Sequence, residues 1–196
     1  MAAPAIEPTL ARALVRPVFL RSLVAALFAL PTVFIFSLDH TYLRYGAAAL
    51  FVLTASQIYD HVKTSDSLTP EAAAPAQLPR LLAAVVLLLG GVGMLFATST
   101  AFAAIVVGIT LVLAGAAELT AWARTRKVFE PARDFLIIGL AEAGTGLVLL
   151  VANKLNVHGI LGVLAGGMLI VAIFGFITAV GYRFEAKEVG ADPSAE

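Results

Sequence analysis

Apolar residues along this chain fall into six long runs separated by polar breaks, at 18–38, 42–59, 79–97, 101–123, 135–153 and 158–181. About 20 apolar residues in a helix match roughly 30 Å of hydrocarbon, and a segment facing lipid must satisfy its backbone hydrogen bonds within its own helix. The pattern predicts an all-α polytopic membrane protein with six transmembrane helices, arranged as three antiparallel hairpins over 18–59, 79–123 and 135–181. Residues 1–17 form a leading segment before this domain of 18–184, and the polar tail 185–196, with Gly190 and Pro193, is expected to be disordered. Pro31 inside the first run removes a backbone donor and is expected to kink that helix.

The breaks are of two kinds. Asp39-His40-Thr41, Thr98-Ser99-Thr100 and Asn153 to Val157 are very short, which forces each odd helix to return antiparallel as the next one. Their Ser, Thr, Asp and Asn residues also suit the N-cap of the returning helix. The alternate connections are longer, above all Lys63 to Gln77, whose Ser, Asp and Pro residues read as a flexible hinge between hairpins.

Charge orients the set. If the N-terminus is cytoplasmic, 11 of the 13 basic residues lie on that side: Arg12, Arg16, Arg21, Lys63, Arg80, Arg124, Arg126, Lys127, Arg133, Arg183 and Lys187. Arg44 and Lys154 are left for the other face. The positive-inside rule then places both termini in the cytoplasm, with Tyr59, Trp122 and Tyr182 at the headgroup layer. The arginines before the first run resemble the start of a secretory signal. The run is longer than a signal core and is followed at once by another, so it reads as a retained helix.

Composition narrows the possibilities. Hydrophobic residues make up 60% of the 196 residues and charged ones 13%, and mean hydropathy is +0.95. Thirteen basic and 13 acidic residues give no net charge, which argues against a nucleic-acid partner and leaves the lipid bilayer as the main one. The chain has no Cys, which excludes disulfides, thiol catalysis and thiolate metal sites.

Spacing suggests internal repetition. Gly115 precedes Trp122 by seven residues as Gly175 precedes Tyr182, and Arg124 and Arg183 follow closely. Gly91-x-Gly93 has a counterpart in Gly144-x-Gly146, while the first hairpin is more divergent. The run Leu81 to Arg126, with Gly90-Gly91, Gly108, Gly115 and Trp122-Ala123-Arg124, and the second copy ending in Gly175-Phe176 and Tyr182-Arg183, resembles the HdeD-type small membrane proteins. The resemblance spans roughly Arg16 to Phe184. It implies a six-helix protein of the bacterial inner membrane with a link to stress, and it supplies no catalytic motif. The small residues themselves serve close helix packing, with Gly162-x-x-x-Gly166 and the Gly139, Ala143, Gly146 and Ala116, Thr120 surfaces as the expected seams.

Two acids stand out. Glu142 and Glu118 lie well inside the apolar runs, where a carboxylate costs at least ~2–3 kcal/mol and must face a cavity, find a partner or stay protonated. At 1.5 Å per residue Glu142 lies roughly 12 Å above Asp134 and Glu118 roughly 9 Å above Arg124, so the two share a layer. Arg21 and Gln57 are the expected partners, and an ionic partner for Glu142 must come from another helix. Either Glu142 is a proton- or ligand-responsive site, or it is a buried packing residue. Glu118 is near enough to the interface to snorkel.

The three histidines read as isolated surface residues. His40 and His158 at the outer face, near Asp39, form a second candidate, a sensor of external acidity. No serine, histidine and aspartate set converges in a built pocket, no ligand spacing points to a metal, and no haem ligands face each other within helices, so no cofactor is expected. Two function classes remain. One is a non-enzymatic membrane protein of stress response or envelope maintenance, a scaffold or accessory subunit in a homo-oligomer or with a membrane partner. The other is a small proton-linked transporter or channel that uses Glu142.

Overall fold

The computed structural model describes residues 6–35, 37–152 and 154–188. Among them are six helices and no strand: α1 (Pro8–Phe34), α2 (His40–Leu68), α3 (Pro70–Leu95), α4 (Thr100–Thr125), α5 (Ala132–Val151) and α6 (Val157–Glu188). Five of them, all but α2, are long and apolar enough to cross a membrane. In α2 the central apolar stretch is diluted by His40 and Arg44 at one end and by Asp60, His61, Lys63 and Asp66 at the other.

The short breaks act as read over their described residues, Asn153 of the third lying outside them. Asp39 accepts the Tyr42 amide at 3.0 Å, Ser99 accepts that of Phe102 at 3.2 Å, and Asn156 accepts that of Gly159 at 2.9 Å. Each supplies an acceptor for a donor that the first helical turn leaves free. The Tyr42 amide holds the Asp39 carboxyl below its ordinary range. A depressed pKa contributes stability above the ordinary aspartate value that is lost as pH falls through the folded one. Asp39→Asn is therefore expected to be less stable than the parent at neutral pH and indistinguishable from it below the carboxylate range, as measured by thermal unfolding against pH.

Four expectations change. The connection 63–77 is not a flexible hinge: α2 runs to Leu68, Thr69 alone breaks the helix, and Pro70 starts α3. Proline is pre-organised for the first helical position, Glu71 favours the positive end of the helix dipole, and alanines follow. Gln77 donates back to Asp66 at 2.5 Å, which ties the corner. Residues 8–17 are helical rather than a separate leading segment, because Pro8 starts α1 in the same way. The expected tail is helical to Glu188, and 189–196 lie outside the described residues. Pro31 falls in the last turns of α1, three residues before its end, so its missing donor bears on the terminus rather than the middle.

Each helix packs on the next, and α6 returns against α1, closing a ring. The most extensive contacts are α1 with α6, α4 with α5 and α2 with α3, so the bundle is held more tightly between the expected hairpins than within them. The α4–α5 seam shows why. Gly108 and Gly115 are seven residues apart on α4, Gly139 and Gly146 are seven apart on α5, and the pairs face each other in antiparallel order. A Cβ on Gly115 would lie 2.6 Å from the Gly139 carbonyl oxygen, and one on Gly146 would lie 2.6 Å from that of Gly108. In contrast, Gly162 and Gly166 face open space and Ala116 and Thr120 are exposed, so neither the GxxxG of α6 nor the Ala116, Thr120 face of α4 is an internal seam.

Buried apolar residues form two clusters. The larger includes Leu43, Phe51, Leu87, Leu111 and Leu164; the smaller, at the end where α1 begins and α6 finishes, includes Leu10, Leu14, Phe129, Phe135 and Tyr182. Outward faces carry Leu27, Leu89, Val92, Leu113, Leu140 and Ile177, all exposed, a surface that suits hydrocarbon rather than water.

Candidate functional site: a buried charge network

On α1, α3 and α4 the two apolar clusters are separated by a charged residue: Arg21 lies between Val18 and Ala25, Arg80 between Ala76 and Ala83, and Glu118 between Ala114 and Ala121. The three side chains meet Glu142 of α5. Arg21 donates through Nη1 to Glu118 Oε1 at 2.8 Å and through Nη2 to Glu142 Oε1 at 2.7 Å, while Arg80 Nε donates to Glu118 Oε2 at 3.2 Å. One guanidinium thus bridges two carboxylates, and one carboxylate takes two guanidinium groups. All four residues are buried, Glu118 completely.

Two positive and two negative groups balance, which is the condition for keeping charge at this depth. Arginine suits the bridging position because its planar fork presents several donors in fixed directions. Arg80 also lies with its guanidinium carbon 4.2 Å from the centre of the Phe135 ring, which covers part of its apolar surface and adds a cation–π attraction. Phe135 in turn meets His61 edge to face, with ring centres 5.8 Å apart.

The structure brings together Arg21, Glu118 and Glu142 of the residues singled out from the sequence. Gln57 is not a partner of either acid; its amide nitrogen donates to Ser56 Oγ at 3.1 Å and its oxygen has no protein partner. Glu118 does not snorkel: two arginines satisfy it in place, and its side chain is fully enclosed. His40 is half-buried at the start of α2, and His158 is exposed at the second residue of α6. Both belong to the opposite end, since Arg21 lies 13 residues from the end of α1, about 20 Å along the helix axis.

Three features escaped the sequence reading. The charge pattern places Arg80 at the inner rim, but α3 begins at Pro70, which carries residue 80 about 15 Å into the helix. His61 is buried, not a surface residue, because α2 continues past it. Tyr182 is buried too, and its hydroxyl donates to Asp134 Oδ2 at 2.7 Å, while Thr178 donates to Oδ1 at 2.9 Å. The proline, acid and alanine start of α3 was the signal that would have moved Arg80 inward.

Beside the network lies a cavity of ≈ 20 Å³ whose walls include Arg21, Gln57, His61, Arg80, Asp134 and Phe135. Neither glutamate lines it. Arg21 Nε, Gln57 Oε1, His61 Nε2 and Glu142 Oε2 are buried polar atoms without a protein partner. Among the described residues no group of three His, Asp or Glu side chains is placed to hold a metal ion. The arrangement can tie four helices through charge and can hold a proton or a small polar molecule next to Arg21. No family model matches this chain, and no match was found among curated proteins or solved structures.

Proposed function

We propose that this chain is a non-enzymatic integral membrane protein that crosses the membrane six times, of the HdeD type suggested by its glycine and aromatic spacing, with an accessory role in maintaining the bacterial inner membrane under stress. The observation that carries this reading is the closed helix ring locked by the Arg21, Glu118, Glu142 and Arg80 network, in which both acids are buried and neither lines the adjoining cavity. A carrier that used Glu142 for coupling needs that carboxylate reachable in turn from each side. Here it is enclosed and ion-paired.

Six crossings follow if α2 spans together with its neighbours. It has 29 residues, it packs between α1 and α3, and its polar Thr54, His61 and Ser65 face inward. Cytoplasmic termini are favoured by the remaining charge asymmetry. Arg21 and Arg80 leave the rim count because they are buried, yet nine basic residues still stand against Arg44 and Lys154. The outward-facing Gly162 and Gly166 leave room for a second copy or another membrane protein as partner.

Reconstitution into vesicles with a trapped pH-sensitive dye tests the choice. The expected result is that an imposed pH gradient decays no faster than in empty vesicles, and that Glu142→Gln changes nothing. Protein-dependent proton flux abolished by Glu142→Gln would establish the transporter reading instead.

A further inference from the structure

The polar atoms left over at the cavity match one particular occupant. Arg21 Nε is a donor, Gln57 Oε1 an acceptor, and His61 Nε2 either one according to its tautomer; each belongs to a residue of the cavity wall. A water molecule offers two donors and two acceptors, needs two to four polar partners, and fits a space of ≳ 10–15 Å³, which the ≈ 20 Å³ here exceeds. A buried arginine nitrogen and a buried amide oxygen that make no hydrogen bond carry a large desolvation cost, and a water that reaches either atom removes it there.

A second space leads toward this one. Between the start of α5, just after Glu130, and the end of α6 that holds Glu185 runs an open groove of ≈ 350 Å³. Its walls include Glu130, Arg133, Tyr182 and Glu185, and it shares Asp134, Ile137, Phe174 and Thr178 with the cavity. The partition between groove and cavity is therefore made by the same side chains, with Asp134 held in it by Thr178 and Tyr182. Helices α5 and α6 also make the least extensive contact in the ring. The groove opens at the end of the bundle where α1 begins and α6 finishes.

We propose that the cavity is an internal water site hydrated from one side only, through the α5–α6 groove and past Asp134, so that Arg21 sits at the blind end of an aqueous half-channel. The Asp134 cluster is the partition through which water exchanges. The side of Arg21 that faces Glu118 and Glu142 stays dry.

The lack of native cysteine makes this directly testable, since a single introduced thiol is the only one in the chain. Gln57→Cys and Ser22→Cys place it on the cavity wall, and Leu87→Cys places it in the dry core, where the native side chain is 1% exposed. Silver ions are added to the full chain in sealed vesicles, and the thiols left unreacted are counted. Both wall cysteines are expected to react at least about tenfold faster than Leu87→Cys, and only from the side where α1 begins and α6 finishes. A Cβ on Gly181 meets nothing within 4 Å and Ile177 is exposed, so Gly181→Phe and, as a second plug, Ile177→Trp fill the groove without disturbing the core. Either plug is expected to slow Gln57→Cys to the rate of the core control. Wall cysteines as slow as the control, reaction from the opposite face, or rates unmoved by both plugs would overturn the half-channel. None of these results depends on whether the protein moves protons across the membrane.

Discussion

Arg21→Met is expected to lower the unfolding free energy by about 3–5 kcal/mol, because it leaves buried carboxylates without the cation that holds them. Glu142 suffers most: Arg21 is its ion-pair partner, and its second oxygen already lacks a protein partner. Glu118 keeps Arg80. Removing the stranded charge should therefore recover most of the loss, so Arg21→Met combined with Glu142→Leu is expected to be more stable than Arg21→Met alone. Reversible unfolding in mixed micelles, run as a double-mutant cycle, measures the coupling directly. If the two losses simply add, the pair does not hold the helices and the network is incidental to the fold.

The second large effect is steric. Gly115→Ala places a methyl group 2.5 Å from the Ala143 amide nitrogen and 2.6 Å from the Gly139 carbonyl oxygen. These are backbone atoms of a packed helix and have no flexible end to swing aside. Separating α4 from α5 to admit the group is expected to cost about 1–3 kcal/mol, and Gly115→Leu more. Gly162→Ala adds the same methyl group to open space, and the better helix propensity of alanine is expected to leave stability unchanged or raise it by up to about 1 kcal/mol. Unfolding of the two variants under identical conditions separates close packing from a general intolerance of substitution.

These contrasts mark how far the sequence could be read. Helix number and the short capped turns followed from run length and from residues with local chemistry, such as Asp39 and Ser99, whose partners lie three residues away. The acids were conspicuous because carboxylates are rare at that depth, and Arg21 followed from matching levels along neighbouring helices. Arg80 was hidden because a basic residue beside an apolar run is ordinarily a topology signal, and only the early start of α3 turns it inward. The glycine seam was half legible. The Gly139, Ala143, Gly146 face of α5 was an expected seam and does pack on α4, whereas the expected GxxxG of α6 meets nothing in this chain and Ala116 and Thr120 are exposed. Which face of a helix meets which neighbour is decided by the closure of the ring, and no local pattern records it.

The network joins the beginning of the chain to residues made much later. Arg21 lies 97 positions before Glu118 and 121 before Glu142. During synthesis the first helix must accordingly enter the lipid, or wait beside the insertion machinery, with an uncompensated guanidinium until the fourth and fifth helices arrive. Biogenesis of this protein is thereby ordered in time: the charge of α1 is laid down well before the two helices that neutralise it.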